Sequence, residues 1–310
     1  MNVNKITVVG CGRVGLTAAY ALLLRNIARQ LVLYDRDLER MKGEQLEFQH
    51  SLAFLGTTTI TAATGPADVR DSDVIVFTAG VAQQPGESRL SLAQRNIKIL
   101  EETLPPLVEQ SPQSIVIIVA NPVDILTHHA TQLLRLPRGR VFGSGTSLDT
   151  ARFRFHLSEL LHISPKNIHA YILGEHGDSS FPVVSSADVG GRPLLAFPGV
   201  TPEAVQAAYE KTRAAAGTII AAKGSTYYAI GVAISQLVST VLRDSKRIYP
   251  VSFSLDGEFG YRDVAISVPC VIGKGGAEKI IEIALSPDEK NQMDASVKLL
   301  KQLAGPPSPI

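Results

Sequence analysis

The segment Ile6-Thr7-Val8-Val9-Gly10-Cys11-Gly12-Arg13-Val14-Gly15 ends an apolar run with a GxGxxG pattern and leads into a helical one. That arrangement can hold a diphosphate. Gly10 permits a tight turn, Gly12 lets a ligand approach the backbone, Gly15 lets helix and strand pack closely, and the helix N-terminus offers oriented N–H groups to an anion. About twenty positions later a second apolar run ends at Asp35, where a carboxylate can accept hydrogen bonds from a ribose and repel a 2′-phosphate. NAD is therefore expected over NADP. Further along, Asp149 and Arg152 stand three residues apart in a helical pattern, so both side chains can face one cleft. A guanidinium fork suits a carboxylate. His176 adds an imidazole, whose ordinary pKa of about 6.5 lets it give or take a proton near neutrality.

Elements that would position these groups follow from hydrophobic periodicity. In the first half, residues 6–9, 31–34, 74–78 and 115–119 read as strands, and their continuous apolar character predicts a parallel sheet covered on both faces. Helical patterns over 14–24, 38–52, 90–108 and 122–134 alternate with them, the βαβ rhythm of a doubly wound fold. From about Ser144 the rhythm changes: a helix over 148–161, strands over 169–173 and 181–186, two long helices within 202–242, then a β-rich stretch and a C-terminal helix. The fold class is therefore α/β, a dinucleotide-binding Rossmann domain over 1–143 followed by an α+β catalytic domain over 144–310.

At 310 residues and 45% hydrophobic content the chain can bury two cores. A formal charge of +1 lacks the basic excess that a nucleic-acid or membrane-surface partner calls for. Two cysteines, Cys11 and Cys270, make neither a disulfide framework nor a zinc site, and a reducing cytoplasm is the expected setting. The chain shows no signal-peptide pattern and no apolar stretch of membrane-spanning length. No metal is expected.

Four segments narrow the chemistry: Gln83-Gln84-Pro85-Gly86-Glu87-Ser88-Arg89, Asn121-Pro122-Val123-Asp124, Leu148-Asp149-Thr150-Ala151-Arg152 and Gly174-Glu175-His176-Gly177-Asp178. With the glycine pattern, and in this order, they resemble the L-lactate and malate dehydrogenase family over nearly the whole chain. The resemblance implies hydride transfer between NAD and a small 2-hydroxy acid. It makes His176 the proton donor and acceptor, Asp149 the carboxylate that orients it, and Arg152 the clamp for the substrate's C1 carboxylate. Arg89, expected on a mobile loop after Pro85-Gly86, becomes the group that polarises the substrate carbonyl once the loop closes. Asn121 would bond near the nicotinamide or the substrate oxygen, Ala79 and Gly80 would let the cofactor pass, and Val14 and Ile230 would lie along it.

Gln83 aligns with the position that reads the substituent at substrate C3. Malate dehydrogenases commonly carry Arg there, and a buried carboxylate facing neutral Gln lacks its partner, at a cost of about 3 to 5 kcal/mol. Pyruvate and L-lactate are thus the expected substrates, with Thr226 on the opposite wall; malate dehydrogenase is the alternative, and an idle NADH-binding protein a more distant one. Arg154 and His169 match an anion site for fructose 1,6-bisphosphate between subunits of bacterial enzymes of this type, so activation by that ligand and a homotetramer are expected. Glu47 replaces the Asp frequent in relatives, and Cys11, if exposed, would be a redox-sensitive thiol.

Overall fold

The computed structural model describes residues 4–82 and 86–304, so Gln83 lies outside the described residues. Through the first half run β1 (Lys5–Val9), α1 (Arg13–Leu24), β2 (Gln30–Tyr34), α2 (Leu38–Ser51), β3 (Thr59–Ala62), β4 (Val74–Phe77), α3 (Arg89–Gln110), β5 (Ile115–Ile118), α4 (Val123–Leu134) and β6 (Val141–Gly143). They form a parallel sheet in the order β3-β2-β1-β4-β5-β6. That is the doubly wound dinucleotide-binding order. Every residue of β4 and β5 is buried, as strands covered by helices on both faces must be. One apolar core, including Ile6, Val8 and Leu22, and another, including Val9, Phe77 and Leu104, share out alternate residues of β1.

The second half comprises α5 (Ser147–Leu161), β7 (Ile168–Leu173), β8 (Phe181–Val189), β9 (Arg192–Pro193), α6 (Pro202–Lys223), α7 (Tyr228–Leu242), β10 (Arg247–Asp256), β11 (Arg262–Gly273), β12 (Gly276–Ile280) and α8 (Pro287–Ala304). β7, β8 and β9 make a small antiparallel sheet. β10, β11 and β12 do something the sequence pattern does not announce. They add antiparallel to β6 through the Ser252–Gly143 register and so extend the first sheet to nine strands. A bridge between Gly174 and Ser267 then joins the end of β7 to β11, which fixes the His176 loop against the extended sheet.

Three strands escape the periodicity, among them β9 with two residues. β6 has three residues, below the length at which a pattern can be read. β3 is an edge strand of sequence Thr-Ile-Thr-Ala, too short and polar to stand out.

Candidate active site

Strand order reverses between β1 and β4, so the loops leaving their C-terminal ends part to form a crevice. Gly10 turns there at φ +86°, and a Cβ on it would sit 2.4 Å from the Ala79 backbone. Gly15 is equally constrained, since its Cβ would lie 2.2 Å from the Gly10 carbonyl oxygen. Gly12 differs: a Cβ there meets nothing within 4 Å. It is the N-cap of α1 and offers no side-chain cap, so the first-turn N–H groups border open space of the kind a diphosphate would fill.

Asp35, at the end of β2, holds this loop. Its Oδ2 accepts the Cys11 N–H at 2.7 Å and its Oδ1 the Asp37 N–H at 3.2 Å. A carboxylate has about four lone-pair sites, so these bonds leave room for ribose hydroxyls. Cys11 is fully buried, and burial, with the Asp35 charge added, pushes its thiol up to about 12. The exposure on which a redox-sensitive Cys11 depended is therefore absent, and an inaccessible thiol without thiolate character does not react.

Next to the crevice lies a cleft of about 1010 Å³. Val14, Gly80, Asn121 and Ile230 line it from among the expected cofactor residues, and Asp149, Arg152, His176 and Thr226 from among the expected reaction residues. Gly10, Gly12, Gly15, Asp35 and Ala79 lie outside its lining, toward the crevice around β1. Asn121 is held through its carbonyl, which accepts from Asn96 Nδ2 at 2.7 Å, while Asn96 Oδ1 takes the Val81 N–H at 2.8 Å. Asn96, buried on α3, thus ties two cleft-lining segments together. Nothing in its sequence setting marks it.

His176 Nδ1 lies 2.6 Å from Asp149 Oδ2, and Arg152 Nη1 donates to Asp149 Oδ1 at 3.1 Å. The helical spacing on α5 delivers both side chains to one place. Burial by itself would lower the His176 pKa, but the charge and hydrogen bond of Asp149, with the charge of Asp124, raise it to about 9. Asp149 is driven upward by burial, yet His176 and Arg152 prevail and leave it below the usual carboxylate value. The couple is therefore imidazolium and carboxylate at neutral pH. With Nδ1 engaged, Nε2 is the nitrogen available for proton transfer.

Arg89 departs from expectation. It is the first residue of α3, not a loop residue, and it does not line the cleft. Its Nη1 donates to Glu175 Oε1 at 2.6 Å and its Nη2 pairs with Asp178, on either side of the His176-Gly177 dipeptide. Sequence reading named Glu175 only as part of a motif, yet it is buried and also accepts from Ser179 Oγ at 2.6 Å.

Arg154 and His169 lie away from this site. Arg154 Nε donates to the Ala170 carbonyl at 2.9 Å and its guanidinium stacks 5.1 Å from the Tyr171 ring centre, while His169 Nδ1 faces Asp188 at 3.4 Å. Glu47 is exposed on α2. Among the described residues there is no cluster that could hold a metal ion, and no helix is long and apolar enough to cross a membrane.

A doubly wound sheet with this glycine turn, beside a cleft holding an imidazolium–carboxylate couple and an arginine fork, defines an NAD-dependent oxidoreductase. The chain belongs to the lactate/malate dehydrogenase family: the profile of that family's NAD binding domain matches residues 4–143 and that of its alpha/beta C-terminal domain residues 146–304. It is 40% identical over 300 residues to the L-lactate dehydrogenase of Synechococcus sp., covering 96% of this chain and 98% of that enzyme. Identity to the L-lactate dehydrogenase of Latilactobacillus sakei is 42% over 304 residues, covering 97% and 93% of the two chains. Among solved structures, a lactate dehydrogenase from a Medee basin deep-sea metagenome library superposes with a TM-score of 0.93 at 37% identity, covering 98% of each chain. The minor L-lactate dehydrogenase of Enterococcus mundtii gives a TM-score of 0.93 at 34% identity, covering 97% of each.

Proposed function

We propose that this enzyme interconverts pyruvate and L-lactate with NADH and NAD+, and that the His176–Asp149 couple at 2.6 Å, beside Arg152 in the cleft, is the observation that carries the reading. When bound along the crevice, the nicotinamide supplies or takes up a hydride. Arg152 has donors beyond the one given to Asp149, and these suit two-point capture of the C1 carboxylate. His176 holds the proton on Nε2 and passes it to the C2 oxygen as the carbonyl becomes an alcohol; lactate oxidation returns it. Asp149 keeps the ring oriented and stabilises its charged form. Asn121 and Thr226 bound the space for the substrate, and Ile230 and Val14 the space for the nicotinamide.

Pyruvate is favoured over oxaloacetate by the neutral Gln83 and by relatives that are L-lactate dehydrogenases. NADH oxidation measured with both oxo acids in parallel tests this. A clear pyruvate preference supports it; an oxaloacetate preference turns the assignment to malate dehydrogenase, and NADH binding without turnover on any 2-oxo acid would make the chain an idle relative.

The cytoplasm is the proposed setting and a homotetramer the proposed assembly. Exposed apolar side chains on neighbouring helices, Tyr20 and Leu24 on α1, Leu46 on α2 and Val232 on α7, support burial against a second copy. Arg154 and His169 are the proposed fructose 1,6-bisphosphate ligands, since a guanidinium and an imidazole can together neutralise a phosphate between subunits. In the folded chain their present partners are a carbonyl, an aromatic ring and Asp188, contacts that an arriving phosphate would compete with.

A further inference from the structure

Asp124, on α4, touches the reaction centre but has no part in the proton transfer described above. Its Oδ2 accepts the main-chain N–H of His176 at 2.7 Å. The residue is only 3% exposed, and its helix neighbours Val123, Ile125 and Leu126 are buried and apolar. Among the described residues its Oδ1 has no aligned hydrogen-bond partner, and neither has the hydroxyl of Ser252 on β10. That hydroxyl is nonetheless near enough to favour the ionised form of Asp124.

Burying a carboxylate with one oxygen unpaired is costly. An asparagine of the same shape could accept the same main-chain N–H without burying a charge. What the acid alone provides is charge, and the group placed to benefit is the imidazole of His176. We propose that Asp124 is a second, positioning carboxylate of the proton-transfer centre, which fixes the main chain of His176 and adds negative charge beside it, so that Asp149 and Asp124 together set how firmly the imidazole holds its proton. This inference rests on His176 as the proton carrier.

The surrounding charges agree with this role. From α5 come Asp149 and Arg152, from the loop after β7 come His176 and Glu175, and from β10 the neutral hydroxyl of Ser252. Burial pushes the Asp124 carboxyl up to about 6, with Glu175 adding to the rise, while Ser252 and His176 oppose it. At neutral pH Asp124 is therefore mostly charged, and its influence on the ring fades as pH falls below that value.

The test is a titration of the His176 imidazole by NMR in the whole enzyme and in Asp124→Asn, with NADH affinity and thermal unfolding followed alongside. The proton affinity of His176 is expected to fall about tenfold in Asp124→Asn, and the pH above which kcat/KM for pyruvate declines moves down with it. An imidazole that titrates as in the parent overturns the proposal, whatever happens to turnover, because Asp124 would then be a spacer and not a source of charge. If Asp124→Asn does not fold, the parent enzyme supplies the test: the His176 ring resonances should shift as Asp124 gains its proton near 6, well below the ring's own titration near 9, and resonances that stay unmoved through that range overturn the proposal. His176→Gln, assayed in parallel, separates the two readings. Pyruvate turnover that survives His176→Gln removes His176 as proton carrier, while the imidazole titrations still decide whether Asp124 acts on the ring.

Discussion

Arg89 Nη1 stands 2.6 Å from Glu175 Oε1, and this contact ties the start of α3 to the loop that carries His176. To polarise a substrate carbonyl, Arg89 must leave Glu175 and Asp178 and enter the cleft, which makes closure an exchange of ion pairs. Removing a preorganised donor from a developing alkoxide costs about 100-fold or more in rate. Arg89→Gln is expected to lower kcat for pyruvate by that order, with a much smaller change in NADH affinity. A kcat within about twofold of the parent would take Arg89 out of the reaction.

The raised His176 pKa fixes the sign of the pH dependence. Pyruvate reduction needs the imidazolium, so kcat/KM should stay level through neutrality and decline above about 9, while lactate oxidation, which needs the neutral ring, should rise toward the same value. Folding stability follows the same couple: its contribution is complete below the ordinary value of 6.5 and is lost as pH rises through about 9. In Asp149→Asn the leading cause of the elevation is gone, and the limb of the pyruvate profile should move to lower pH. Profiles of kcat/KM for both directions check this, and a limb that stays in place in Asp149→Asn contradicts it.

Local pattern carried much of this architecture and stopped where contacts are made across the chain. The strands β1, β2, β4 and β5 and the helices between them were legible because each is a run long enough to show its period, and the pairing of Asp149 with Arg152 follows from one turn of helix. No such rule foretold that β10 would join β6 through Ser252 and Gly143, a pairing between segments that are distant in sequence. Asp124, Asn96 and Glu175 are buried polar residues whose importance lies in bonds to distant segments, among them those to His176, Asn121 and Arg89. A carboxylate set in the apolar run Val123-Asp124-Ile125-Leu126 was a usable signal for the first of them. Pro85-Gly86 before Arg89 points to a loop, whereas Ser88 caps α3 by accepting the Ser91 N–H and so draws Arg89 into the helix.

Gly12 and Gly15 should fail in different ways. A methyl at Gly15 meets the Gly10 carbonyl oxygen and Thr78 Oγ1, so Gly15→Ala is expected to cost about 1 to 3 kcal/mol of stability and to lower Tm. A methyl at Gly12 meets no protein atom within 4 Å, so Gly12→Ala should leave Tm nearly unchanged and weaken NADH about tenfold or more by occupying the ligand's approach. Thermal unfolding and NADH titration of the two variants separate these effects. Undiminished NADH affinity in Gly12→Ala would mean that the open space beside it is not the diphosphate site.

Substrate choice is expected to move with charge at Gln83. Gln83→Arg supplies a cation for the second carboxylate of oxaloacetate, and an unpaired buried carboxylate is penalised by about 3 to 5 kcal/mol. The ratio of kcat/KM for oxaloacetate over pyruvate should rise at least about 100-fold. An unchanged ratio would show that Gln83 does not read the C3 substituent and would turn attention to Thr226 on the cleft wall.

The proposed anion site makes the last prediction. Arg154 stacks on Tyr171, and His169 faces Asp188 at 3.4 Å. Coupling of the usual size would lower the pyruvate KM about fivefold or more. Arg154→Gln combined with His169→Gln should abolish that response while leaving kcat at saturating pyruvate close to the parent value, since neither residue lines the cleft. Initial rates across pyruvate concentrations, with and without the bisphosphate, measure this. A parent enzyme that ignores the bisphosphate would leave Arg154 and His169 with only the structural contacts they make within one chain.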